Sequence, residues 1–207
     1  MFEQVLPGNT KEILALLEGS EIVKNAYLAG GTALALQMGH RISYDLDFFT
    51  QEEFNEEKLL SEIRKISDFK PEKISWRTIL GTFKDVKFSI FYYEYPLLFP
   101  PGIFGQIKVV DISDIAAMKL AAAASRGTKR DFVDLYFICK DHLALDECIK
   151  LYGRKYKNLD DVKVHLMKSL IFFNDADPEE MPHMLKECKW EKVKQFFISE
   201  VKKIMNK

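Results

Sequence analysis

The segment AYLAGGTALALQMGHRISYDLDFF, residues 26–49, constrains the fold more than any other part of the chain. It reads as a short strand ending at Ala29, a double glycine, a helix from Thr32 to about Met38, and a second strand from Asp45 to Phe49. Gly39 suits the end of that helix, where a left-handed residue is needed. On the second strand the period of two sets the Asp45 and Asp47 carboxylates on one face, with Leu46 and Phe48 turned to the core. Two carboxylates held so close repel each other unless a cation or a proton offsets them. Two readings fit: a strand edge whose aspartates face water, or hard oxygen ligands for Mg²⁺ carrying substrate phosphates. The Gly30-Gly31-Thr32 turn upstream favours the second. Glycines let the backbone approach a ligand closely. The helix that follows offers unpaired N–H groups and a positive dipole end to a phosphate, with the Thr32 hydroxyl as a further donor. A phosphate cradle on one element and two metal-binding carboxylates on the next compose a site for phosphoryl or nucleotidyl transfer, where positioning and charge neutralisation carry the chemistry. The chain has no P-loop consensus and no GxGxxG fingerprint.

Asn9 with Glu12 resembles a capping box, so a first helix begins near residue 10. A third helix covers TQEEFNEEKLLSEIRKI, with Leu59, Ile63 and Ile66 on its apolar side. Residues 73–80 and 85–93 read as a hairpin around a polar turn from Gly81 to Asp85, and Ile107 to Val110 as one more short strand. From Ser113 onwards the pattern is helical: SDIAAMKLAAAAS, then TKRDFVDLYFICK with Thr128 as its cap, then segments near 146–155, 160–173 and 190–205. Strands first and helices last predict an α/β (α+β) fold. A small mixed sheet flanked by helices would occupy residues 1–110, and a helical region over 111–207 would pack on it across a soft boundary.

With 47% hydrophobic residues in 207, the chain can bury one substantial core and is globular. A formal charge of -1 excludes a polyanion binder read from the whole chain, though not a local basic face. The lysine-rich stretch from Lys186 has Val193, Phe197, Val201 and Ile204 opposite its charges, which makes it an amphipathic core helix or an RNA-contacting face. Three cysteines are a poor basis for a disulfide framework and point to a reducing compartment. Cys139, His142 and Cys148 echo a zinc spacing without a fourth ligand, and Cys139 falls on an apolar stripe. The acidic N-terminus and the lack of a long apolar stretch predict a cytoplasmic protein with no membrane span.

AGGTALALQMGHRISYDLDFF and the later MKLAAAASRGTKRDFVDLYFI resemble, in order and over roughly residues 26–140, the AbiEii/AbiGii toxin family of nucleotidyltransferases. The resemblance implies a DNA polymerase beta-like fold and transfer of a nucleotide from a nucleoside triphosphate to an acceptor, an RNA such as the end of tRNA. It also implies a neighbouring antitoxin protein. By position, Asp45 and Asp47 would bind Mg²⁺ or Mn²⁺, Gly30, Gly31 and Thr32 would contact the triphosphate, and Lys119 would meet phosphate. Arg126, two helical turns beyond Lys119, extends that positive stripe, and Lys129 opens the next helix. The resemblance has Asp131, with Asp134, complete the active centre; the alternative is that Thr128 and Asp131 form a capping pair. Arg41 and Ser43 precede the carboxylates in HRISYDLD, beside the nucleotide, and Arg41 either neutralises the site or fixes the loop.

One position departs from the pattern. Enzymes of this type commonly carry a third carboxylate on a later strand, and in VKFSIFYYEYP its place holds Ser89, on one face with Lys87, Phe91 and Tyr93. The departure leaves two alternatives to RNA modification: a nucleotide-binding module that has lost its chemistry, or transfer to a protein acceptor.

Overall fold

The computed structural model describes residues 1–157 and 159–206, with residues 159–161 described by backbone alone. The chain divides into two units, Met1–Asp111 and Ile112–Lys207.

The first unit holds a seven-stranded mixed sheet. Its strands are β1 (Ala26–Leu28), β2 (Leu46–Thr50), β3 (Phe69–Ser75), β4 (Thr78–Phe83), β5 (Val86–Tyr92), β6 (Gly102–Phe104) and β7 (Ile107–Val109). They lie in the order β3-β4-β5-β2-β1-β7-β6. β2 runs parallel to β5 and β1 parallel to β7, while the other neighbours are antiparallel. Helices α1 (Gly8–Leu17), α2 (Glu21–Lys24), α3 (Gly30–Met38) and α4 (Glu56–Ile66), with a short 3-10 turn at Glu3–Val5, accompany the sheet. Burial alternates along β2, so Leu46 and Phe48 enter the core while Asp47 faces the other way. Phe48, Phe83 and Phe88 fill that core with tilted and edge-on ring contacts. α3 stops at Gly39, which takes the left-handed conformation at φ 62°.

Three sequence expectations shift here. The strand expected over 73–80 is two strands, with a tight turn at Trp76 and Arg77, and the next turn falls on Lys84. Arg77 and Lys84 hold φ of 50° and 52°, a conformation that costs any residue with a side chain, so neither advertises a turn. Arg77 is held there by its guanidinium, 4.4 Å above the Trp76 ring and 4.8 Å from that of Tyr92, and by its N–H donating to Glu56 Oε1 at 2.5 Å. α1 begins at Gly8 behind Pro7, which places Asn9 inside the first turn instead of at the cap. β6, which pairs with β7, carries no strand signal of its own.

The second unit is helical: α5 (Ile112–Ser125), α6 (Lys129–Asp141), α7 (Leu145–Tyr156), α8 (Leu159–Ser169) and α9 (Trp190–Met205). α8 ends four residues short of the expected limit at 173. Phe132 is its aromatic hub, meeting Phe173, Trp190 and Phe197. Val193, Phe197 and Val201 of the lysine-rich α9 are buried, so that helix has a core-packing face. Cys139 and Cys148 face each other with their sulfurs 3.9 Å apart. No helix among the described residues is long and apolar enough to cross a membrane.

Candidate active site

The site begins where β1 gives way to α3. Ala29 N–H donates to the Asp47 carbonyl at 2.9 Å, tying the end of one strand to the middle of the other. Gly30 then turns at φ 65°, and a β-carbon on it would lie 2.7 Å from Asp47 Oδ2. A β-carbon on Gly31 would lie 2.1 Å from Arg41 Nη2. Gly30 is thus required by backbone sign and a carboxylate, while a side chain at Gly31 would have to displace the buried Arg41 guanidinium. The opening N–H groups of α3 have no intrahelical partner, so the positive end of this helix adjoins Asp47.

The loop from Gly39 to Asp45 is held from within. Buried Arg41 donates through Nη1 to Ile42 O at 3.0 Å and Ser43 Oγ at 3.3 Å, and Ser43 N–H donates to Val5 O at 3.0 Å. The Thr32 hydroxyl donates to the Asp45 carbonyl and shares a 2.8 Å hydrogen bond with Ser43 Oγ. Thr32, Arg41 and Ser43 therefore fix the loop that presents Asp45, which sets the spacing of the two carboxylates before any ligand arrives.

Asp45 and Asp47 line a cavity of about 260 Å³ together with Glu72, Leu80, Lys87, Ser89 and Phe91. Pairing registers carry one row across the sheet, Lys73–Leu80–Ser89–Asp47. Ser89, directly opposite Asp47, donates its hydroxyl to Asp47 Oδ1 at 2.5 Å. It occupies the place where a third carboxylate was sought. Glu72 was missed in the sequence because it falls before the expected strand, at a point where the β3–β4 register slips between Pro71 and Lys73. Among the described residues no group of three or more His, Cys, Asp and Glu side chains is arranged to hold a metal ion. Two half-exposed carboxylates beside an open cavity nonetheless suit Mg²⁺, which is bound through one or two carboxylates plus substrate phosphates and water.

The helical unit gathers a second set of the expected residues. Lys119 Nζ sits 3.0 Å from Asp131 Oδ1 and 2.6 Å from Asp134 Oδ2, and all three side chains are buried. Arg126 grips Asp131 with two hydrogen bonds, Nε to Oδ2 at 2.7 Å and Nη2 to Oδ1 at 2.9 Å. The Thr128 hydroxyl donates to Asp131 Oδ2 at 2.7 Å, so it partners the carboxylate where helix capping had been the alternative. Burial raises the Asp131 carboxyl, but the Lys119 charge, the Arg126 bonds and charge, and Thr128 outweigh it and hold it at about 2. Lys129 stands apart from this cluster: its N–H donates to Glu179 Oε2 at 2.7 Å, and its ammonium donates to the Asp177 and Glu179 carbonyls and lies over the Trp190 ring. A separate cavity of about 270 Å³ in this unit, lined by Arg126, His165, Lys168, Phe172 and Asp175 among others, has no paired carboxylates.

A family model described as nucleotidyl transferase AbiEii toxin, type IV TA system, matches residues 13–109 and 70–203. The uncharacterized protein aq_aa25 of Aquifex aeolicus (strain VF5) is 38% identical over 209 residues, which cover 97% of this chain and 98% of the relative. Among solved structures, MenT4, a nucleotidyltransferase toxin from Mycobacterium tuberculosis H37Rv, aligns with a TM-score of 0.63 at 18% identity, over 94% of this chain and 82% of that one. JHP933 from Helicobacter pylori aligns with a TM-score of 0.56 at 18% identity, over 98% and 92%. These two likenesses are of fold, whereas the family model and the Aquifex relative match by sequence along nearly the whole chain. The chain belongs to the AbiEii nucleotidyl transferase toxin family and is a nucleotidyltransferase.

Proposed function

We propose that this enzyme transfers a nucleotide from a nucleoside triphosphate to a hydroxyl of an RNA acceptor, such as tRNA, as the growth-inhibiting toxin of a toxin–antitoxin pair acting in the cytoplasm. The contact of Gly30 with the Asp47 carboxylate carries this reading: it joins a phosphate-attracting helix terminus to a pair of metal-binding oxygens. Asp45 and Asp47 would hold Mg²⁺ or Mn²⁺, which supplies neutralisation of the triphosphate charge. Gly30 and Gly31 let the triphosphate approach the backbone. Thr32, Arg41 and Ser43 keep the Asp45 loop in register, and the cavity walled by Lys87, Ser89 and Phe91 receives the acceptor. The family description, a type IV toxin–antitoxin system, supports an antitoxin partner.

The test is incubation with labelled nucleoside triphosphates, Mg²⁺ and total RNA or protein. Label in RNA that vanishes in Asp47→Asn is the expected result; label in protein alone would move the acceptor, and no transfer with any nucleotide would reject the reading. Ser89 in place of a carboxylate favours one rival, a nucleotide-binding module without turnover. Calorimetry separates the two, because only the rival binds nucleotide and never consumes it.

A further inference from the structure

The sheet brings one more carboxylate to the cavity, and it arrives by an irregularity. Along β3 and β4, Pro71 pairs with Gly81 and Lys73 with Leu80, so Glu72 is an extra residue with no partner of its own. Such a bulge re-aims a side chain and is found beside active sites. Gly81 permits it: a β-carbon there would meet Lys70 O at 2.4 Å and the Phe69 ring at 2.5 Å, so β3 can close on β4 only over a glycine. The result is that Glu72, exposed on an edge strand, lines the same cavity as Asp45, Asp47 and Lys87.

Its position excludes a share in the ion shell. Three strand spacings separate β3 from β2, about 14 Å between backbones, and the two aspartates form no metal-holding trio with it. Glu72 stands across the cavity from the aspartates, with space for a substrate group between. The other candidates for proton acceptor are committed elsewhere: Ser89 offers a hydroxyl that already donates to Asp47, and Asp131 is clamped by Lys119, Arg126 and Thr128.

We infer that Glu72 is the general base of the transfer, filling from β3 the office that Ser89 leaves vacant on β5. The inference rests on the nucleotidyl-transfer reading above. The acceptor hydroxyl gives its proton to the Glu72 carboxylate as its oxygen forms a bond to the α-phosphorus. The bond from that phosphorus to the bridging oxygen breaks, pyrophosphate leaves with the electron pair, and Glu72 returns the proton to water.

The experiment compares the full chain with Glu72→Gln and with Glu72→Gln combined with Ser89→Asp, in labelled transfer to total RNA and in calorimetric nucleotide binding. Loss of a general base is expected to cut kcat by about 100-fold or more. Nucleotide affinity should stay within about twofold, since Glu72 would meet the acceptor and not the triphosphate. A carboxylate restored at 89 should return at least about tenfold of the lost rate, because it offers a base to the same cavity from β5. Wild-type transfer with an unchanged Glu72→Gln rate, a loss that Ser89→Asp does not relieve, or a matching loss of nucleotide affinity each overturns the role of Glu72 and leaves the enzyme's activity standing. A wild-type chain that transfers nothing overturns both.

Discussion

Gly30 packs directly on the Asp47 carboxylate, so closely that a single methyl group on the glycine would fall 2.7 Å from Oδ2. The start of a helix and a ligand-bearing strand are thereby locked in one geometry by a side chain that is not there. Ala29 N–H, bonded to the Asp47 carbonyl, fixes the same pair from the backbone side.

Gly30→Ala should therefore damage function beyond its cost in stability. A left-handed alanine costs about 1–2 kcal/mol, which thermal unfolding reads directly. The displaced carboxylate should lower transfer well beyond what that loss explains, in protein still folded by circular dichroism. Full activity in the alanine variant would show that Asp47 has no fixed duty.

Lys119→Met should be among the most destabilising changes in the helical unit. It removes the cation that buried Asp131 and Asp134 share, leaving Asp131 to Arg126 and Thr128, and breaking a buried ion pair costs about 3–5 kcal/mol. Denaturant unfolding of wild type and variant gives the difference; a loss under about 1 kcal/mol would mean the carboxylates are reached by water.

Acid should weaken the same unit in a defined window. The Asp131 carboxyl is held at about 2 against an ordinary 3.8. A depressed folded value gives stability that is fully present above the ordinary value and is lost as pH falls toward the lower one. The contribution is about 2 kcal/mol. Unfolding free energies between about pH 5 and pH 2 should fall more steeply for wild type than for Asp131→Asn, and equal slopes would remove Asp131 from the acid response.

Asn55→Ala tests a simpler local rule. Asn55 Oδ1 accepts from Lys58 N–H at 2.9 Å at the start of α4, and loss of such a cap costs about 1 kcal/mol. A modest drop in melting temperature with unchanged activity is expected.

The parts of the molecule legible in the sequence are those where one residue type answers one local demand. Gly39 marked a left-handed helix end because little else fits there, and the period of two set Asp45 and Asp47 on one face although the strand itself starts at Leu46. The hairpin at Trp76 and Arg77 was hidden because its left-handed residue is an arginine steadied by stacking that only the folded chain supplies. Lys119 and Arg126 were read as a positive stripe on one helix, but α5 ends at Ser125 with Arg126 in the turn beyond it, and both cations are taken up by acids of the next helix, Asp131 and Asp134, which spacing alone does not reveal. Glu72 escaped notice because the expected strand began at residue 73, past the slip, and Gly81, the one mark the slip leaves, was read as the start of a turn.

That slip between Pro71 and Lys73 makes the length of β3 matter more than its composition. Dropping one codon there would restore an even pleat and send the following side chains to opposite sides. Apart from Glu72, drift can exchange the exposed residues of this edge freely, while an in-frame indel of a single residue is the change lineages should tolerate least.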